Sequence, residues 1–196
     1  MSQQVGLVLA GGRGERLGRT KGDLEFEGKT LAERAASELW PICGSVLVSI
    51  SAGADNPAPR YPSLVDPPPP GRGPLAAIHA AFEATGDADL LVLACDYPFA
   101  TQTLLRRVAS NAMGEDDVVM MTDFAGRDHP LVALWCRRAA PTIREAVVAG
   151  RFKVRGLLAD LAVRRLGPAE VPGIDLDRAL FNLNRPEDLG ALHRAG

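Results

Sequence analysis

Four glycines fall within the eight residues Gly11 to Gly18, and three cations, Arg13, Arg16 and Lys21, stand on or just after them. Glycine lets backbone N–H groups converge on one point with no Cβ in the way, and such donors beside cations form a cradle for phosphate oxygens. Two carboxylates close apolar runs: Asp96 ends Asp89-Leu-Leu-Val-Leu-Ala-Cys-Asp96, and Asp66 ends Ser63-Leu-Val-Asp66 beside four prolines. An acid at the end of a buried strand suits a Mg2+ ion bridging nucleotide phosphates, because Mg2+ takes hard oxygen ligands. Each position also has a plainer reading. Asp96 can cap the turn before Pro98, Lys21 can be a solvated lysine, and Asp66 an exposed acid.

Spacing excludes the two commonest phosphate loops. A Walker loop places lysine directly after its last glycine, whereas Gly18 is followed by Arg19 and Thr20 before Lys21. A dinucleotide fingerprint requires G-x-G-x-x-G, which Gly12, Gly14 and Gly18 miss by one residue. No Ser-His or Cys-His pair suggests a protein nucleophile, which is compatible with chemistry on phosphates that are already anionic.

The stretch Leu9-Ala-Gly-Gly-Arg-Gly-Glu-Arg-Leu-Gly-Arg-Thr-Lys21 resembles the L-A-G-G-x-x-x-R-[ML]-G-x-x-K signature of sugar-nucleotide-type nucleotidyltransferases, most closely that of the molybdenum cofactor guanylyltransferase family. Gly-Pro-Leu-Ala76, Cys-Asp96-Tyr-Pro, His129-Pro and Asn182-Leu-Asn184-Arg-Pro-Glu-Asp-Leu189 resemble further segments of that family, in the same order. The resemblance implies transfer of GMP from GTP to the terminal phosphate of molybdenum-molybdopterin, with pyrophosphate released and Mg2+ as cofactor. It assigns Leu9, Ala10, Gly11, Gly12, Arg13, Lys21, Ser49, Asp66 and Asp96 to the nucleotide, and Lys21, Asp96 and Arg16 to catalysis. It makes Asp96 the metal ligand and puts His129, Asn182 and Asn184 on the acceptor side, with one asparagine as a second metal ligand. Alternation does not separate Asn182 from Asn184, since residues two apart share a strand face. Two departures stand out: Thr20 where the family often has aspartate, and Ser49 where it has asparagine. A molybdopterin cytidylyltransferase or another nucleotidyltransferase of the same fold therefore stays open, as does a nucleotide-binding or chaperone-like module without turnover.

The elements that must position these residues follow from the apolar patterning. Buried strands are predicted over Val5–Ala10, Val46–Ile50 and Asp89–Asp96, with a short one at Ser63–Asp66. Helices are predicted from Thr30, with Thr30 and Glu33 as a capping box and Pro41 bending or ending it, and over Pro74–Ala84 and Thr101–Met113. Asp117–Asp123 and His129–Trp135 read as an antiparallel pair at the sheet edge. Pro141–Ala149, Val154–Ala162 and Pro186–Arg194 read as helices, and Arg164–Leu166 and Ala179–Asn182 as short strands. The βα alternation predicts an α/β fold: one Rossmann-like, doubly wound, mostly parallel sheet in a single domain over 1–196. Ligands in such sheets bind at the carboxyl ends of the strands, where Gly11 to Lys21, Ser49, Asp66 and Asp96 lie.

A formal net charge of −2 and a pI near 5.9 give no basic footprint for nucleic acid. No apolar run approaches a membrane span, so a cytoplasmic protein is expected, with small-molecule substrates and transient contact with cofactor-biosynthesis or acceptor proteins. Cys43, Cys95 and Cys136 form no C-x-x-C pair and read as small buried residues.

Overall fold

The computed structural model describes residues 3–11, 21–69, 71–184, 188 and 190. Gly12, Arg13 and Arg16, and most of the helix expected over Pro186–Arg194, lie outside the described residues.

The central strands are apolar along their whole length because helices cover both faces of the sheet. The first, β1 (Gln4–Leu9), is followed by a 3-10 turn at Lys21–Asp23 and a small antiparallel hairpin, β2 (Glu25–Phe26) and β3 (Lys29–Thr30). Thr30 opens α1 (Leu31–Cys43) with the expected capping box: its hydroxyl accepts from Glu33 N at 3.0 Å, and the Glu33 carboxylate accepts from Thr30 N. Pro41 falls in the last turn, and Gly44, left-handed at φ 66°, is what ends the helix.

The chain continues through β4 (Val46–Ile50), β5 (Ser63–Val65), α2 (Pro74–Thr85), β6 (Asp89–Ala94), α3 (Gln102–Ser110), β7 (Val118–Thr122) and β8 (Asp128–Trp135). It then forms α4 (Ala140–Val148), α5 (Val154–Leu157), β9 (Val163–Leu166) and α6 (Leu176–Ala179). The main sheet has seven strands in the order β5-β4-β1-β6-β8-β7-β9. Only β8 runs against its neighbours, β6 and β7, while β7 and β9 are parallel. The β7–β8 pair is thus present but lies one strand in from the edge, which β9 forms. Register slips between Met120, paired with Ala133, and Met121, paired with His129, so Pro130, with no N–H to give, falls in the irregular stretch 130–132 that β7 does not pair.

One core cluster joins α1, α3 and α6 to one face of the sheet, and a second joins α2, α4 and α5 to the other. Three expectations are corrected. The helix expected over Val154–Ala162 is α5 followed by a 3-10 turn, Leu158–Asp160. The strand expected at Ala179–Asn182 does not form: Ala179 ends α6, whose Leu176 and Ala179 are buried, and 181–184 run irregularly along Asp96. Cys43 is only half-buried, while Cys95 and Cys136 are buried; all three are free. Among the described residues no helix is long and apolar enough to cross a membrane.

Candidate active site

The strand order reverses at β1, between β4 and β6, and the cleft at their carboxyl ends opens there. A cavity of about 390 Å3 in this cleft is lined by Leu9, Gly11, Lys21, Ser49, Asp66 and Asp96 among others. Six of the residues assigned to the nucleotide therefore converge on one space. Ala10 does not line it: it is buried, and its N–H donates to Ser49 O at 3.0 Å.

Parallel pairing puts Ser49 level with Leu9 on one side and Leu64 on the other, so Asp66, two residues past Leu64, reaches over the end of β4. Ser49 Oγ donates to Asp66 Oδ1, and Ser51 Oγ donates to Gly11 O at 2.8 Å. Burial pushes the Asp66 carboxyl above the usual carboxylate range, and the Ser49 hydroxyl partly offsets this. A Cβ on Gly11 would stand 2.4 Å from Asp66 Oδ2, so glycine here is required by a close approach.

Lys21 Nζ donates to Asp96 Oδ2 at 3.0 Å, to Asn184 Oδ1 at 3.4 Å, and to Leu183 O. Leu183 N in turn donates to Asp96 O at 2.8 Å, which pins 181–184 to the end of β6. The Asp96 side chain is largely buried, and burial raises its carboxyl against the opposing pull of the Lys21 ammonium and the Asn182 amide. Asp96 Oδ1 and Asn182 Oδ1 are both buried and lack a hydrogen-bond partner among the described residues. Such oxygens are costly to bury alone, so the pair, with Asp96 lining the nucleotide-sized cavity, fits a hard cation. No cluster of three or more His, Cys, Asp and Glu suited to a metal occurs among the described residues. Asn184 instead faces Lys21, so the structure distinguishes two asparagines that alternation could not.

Past Pro74 and Leu131, which line both, the cleft widens into a second cavity of about 910 Å3, lined by His129, Asn182 and Asn184 and by four cations, Arg72, Arg127, Lys153 and Arg155. Gly71, Arg72 and Gly73 border both cavities, and the Arg72 guanidinium lies 5.0 Å from the centre of the Phe152 ring. His129 is buried with both ring nitrogens engaged: Nδ1 with the Tyr97 hydroxyl at 3.2 Å and Nε2 with Asp123 Oδ2 at 3.3 Å. Burial disfavours an ionised Asp123, but hydrogen bonds from the backbone and side chain of Arg127, from His129 and from Ala125 outweigh it and hold the carboxyl at about 2. Burial lowers the His129 pKa in spite of Asp123, so the ring is neutral at pH 7.

Sequence reasoning missed Tyr97, Asp123, Arg72, Lys153 and Arg155. Tyr97 and Asp123 carried a readable signal, since Asp123 directly follows β7 and Tyr97 comes next after Asp96, at the end of β6. Arg72, Lys153 and Arg155 sit in turns or at a helix start with no periodicity, and only the fold brings them together.

A doubly wound sheet with a nucleotide-sized cavity at its switch point, a lysine–aspartate pair and two open hard oxygens has the make-up of a nucleotidyltransferase. The chain belongs to the family of MobA-like NTP transferase domains, which it matches over residues 6–166. It is 32% identical over 190 residues to the molybdenum cofactor guanylyltransferase of Rhizobium rhizogenes, covering 93% of this chain and 87% of the relative. It is 33% identical over 182 residues to that of Pseudomonas syringae pv. tomato, covering 92% and 88%. Among solved structures, molybdopterin-guanine dinucleotide biosynthesis protein A from Archaeoglobus fulgidus superposes with a TM-score of 0.82 at 25% identity, over 97% of each chain.

Proposed function

We infer that this enzyme transfers GMP from GTP to the terminal phosphate of molybdopterin. An acceptor phosphate oxygen attacks the α-phosphorus, the bond from that phosphorus to the α,β-bridging oxygen breaks, and pyrophosphate leaves. The observation that carries the reading is that the cavity lined by Gly11, Lys21 and Asp96 adjoins a wider, cation-lined one along Gly71, Arg72, Gly73, Pro74 and Leu131. GTP occupies the first with its α-phosphate toward Asp96, and the acceptor occupies the second. Both reactants are anions, so alignment and charge neutralisation dominate and no general base is needed. Lys21 supplies one fixed cation beside Asp96, and Arg72, Lys153 and Arg155 draw the acceptor phosphate in from the wider side.

Asp96 and Asn182 are the residues that would hold Mg2+. When bound, the ion neutralises charge on the triphosphate oxygens and fixes their orientation. Asp66 favours guanine, because that base presents N1–H and N2–H2 side by side to a carboxylate, whereas cytosine offers only its exocyclic amine.

Thermal melting with GTP, CTP, ATP or UTP and Mg2+ tests the nucleotide, since a ligand that prefers the native state raises the melting temperature. GTP should give the largest shift, and a larger shift with CTP would overturn the base assignment. Pyrophosphate release on adding molybdopterin tests turnover; saturable GTP binding with no product would mark a module that only binds.

A further inference from the structure

We propose that Ser49 is a positioning residue for base recognition: it gives its only side-chain proton to Asp66 and so fixes the plane in which the Asp66 carboxylate meets the guanine edge. The inference rests on the reading of Asp66 as the guanine contact and extends it to a residue that has no side-chain donor left for the base.

Val46, Val48 and Ile50 pack into the core with α1, so alternation along β4 turns Ser49 to the opposite face, level with Leu9 of β1 and Leu64 of β5. There it lines the nucleotide cavity together with Ala76 and Ala77 of α2. Only 1% of Ser49 is exposed, and a buried hydroxyl needs a partner. That partner is Asp66 Oδ1, to which Ser49 Oγ donates. A serine hydroxyl carries one proton, so nothing on this side chain remains to donate to a nucleotide.

Both ends of the bond are anchored on neighbouring strands. Ser49 O accepts from Ala10 N at 3.0 Å, and Asp66 N donates to Ile50 O at 2.8 Å. Pro67 follows Asp66 and restricts its backbone to extended conformations. The freedom that remains is rotation about the side-chain bonds of Asp66, and two contacts oppose it. Ser49 holds Oδ1, and Oδ2 lies over Gly11, where a Cβ would stand 2.4 Å away. Ser51 steadies the Gly11 side by donating from Oγ to Gly11 O at 2.8 Å. With one lone pair of Oδ1 taken by Ser49, the carboxylate still accepts from N1–H and N2–H2 together, but only when its plane matches that of the base.

The probes are GTP, inosine triphosphate, which lacks only the N2 amine, and CTP. Each is titrated calorimetrically against the whole protein in EDTA, so that neither metal nor turnover enters the measurement. Ser49→Ala removes the proton and lets the carboxylate turn. It should raise the GTP dissociation constant about tenfold, the scale of a hydrogen bond to a charged group, and that of inosine triphosphate by less than about threefold. The preference between the two therefore falls, whereas a loss of structure would weaken both alike. In an Asp66→Ala background the same substitution should change neither constant by more than about twofold, because Ser49 acts through Asp66.

A wild-type ratio of GTP to inosine triphosphate affinity in Ser49→Ala, or losses that multiply in the double variant, would overturn the proposal. Should Ser49→Ala not fold, Ser49→Cys puts a weak donor in place of the hydroxyl, and a wild-type ratio there overturns it alone. Asp66→Ala keeps the two readings apart. If it retains the wild-type preference for GTP over both CTP and inosine triphosphate, the base contact itself is wrong; if it loses that preference while Ser49→Ala does not, only the positioning role fails.

Discussion

Lys21 and Asp96 lie 75 positions apart in the chain and meet at 3.0 Å, with about four-fifths of each side chain shielded from water. Removing one partner of such a pair costs more than the pair contributes, because the other charge is left buried. Lys21→Ala should therefore cost on the order of 3 kcal/mol in urea unfolding. Adding Asp96→Asn should recover most of that loss, and a loss that persists in the double variant would show that the lysine stabilises through its contact with Leu183 instead.

The same pair separates binding from turnover. Asp96→Ala should lower kcat by about a thousandfold or more, as loss of a charge-stabilising group does, while GTP affinity measured without divalent cations stays near wild type. Wild-type kcat in a folded variant would remove Asp96 from the chemistry.

Asp96 was legible because six apolar residues, Leu90 to Cys95, and a terminal acid read as a buried strand pointing at the cleft. The doubly wound architecture was nearly as legible, since βα alternation leaves few topologies, although the edge expected for β7 and β8 belongs to β9. What the chain alone withheld were choices made by tertiary contact. The segment 179–182 has strand-like residues, yet Leu176 and Ala179 turn into the core as a helix while Leu183 is tied to the Asp96 backbone. Asn182 and Asn184 share a face only if 181–184 is a regular strand; it is not, so one meets Asp96 and the other Lys21. His129 was readable as a candidate, but its partners Tyr97 and Asp123 come from two other strand ends.

Gly11 and Asp66 give a steric test. A methyl on Gly11 would sit 2.4 Å from Asp66 Oδ2, and Asp66 is tied to Ser49, so Gly11→Ala should cost about 1–3 kcal/mol by overpacking and weaken GTP binding. Gly11→Ala combined with Asp66→Ala removes the colliding oxygen, and its stability loss should fall clearly below the sum of the single losses. Simple additivity would mean that Asp66 swings aside freely.

Asp66→Asn should reduce preference for GTP over CTP by about tenfold, since an amide presents one acceptor and one donor where the carboxylate presents two acceptors. Competition of CTP against labelled GTP measures the ratio, and an unchanged ratio would move base recognition away from Asp66.

Asp123 makes stability depend on acid. Its folded carboxyl sits at about 2 against an ordinary 3.8, so the unfolded chain binds the proton more readily. The contribution is fully present above about pH 4 and is lost as pH falls through 2; for a shift of this size it is on the order of 2 kcal/mol. Unfolding free energies of wild type and Asp123→Asn should therefore differ by a constant amount between pH 5 and 7 and converge as the pH is lowered from 4 toward 2. Curves that stay parallel down to pH 2 would mean that the hydrogen bonds from Arg127 and Ala125 hold the unprotonated carboxylate no more tightly than water does.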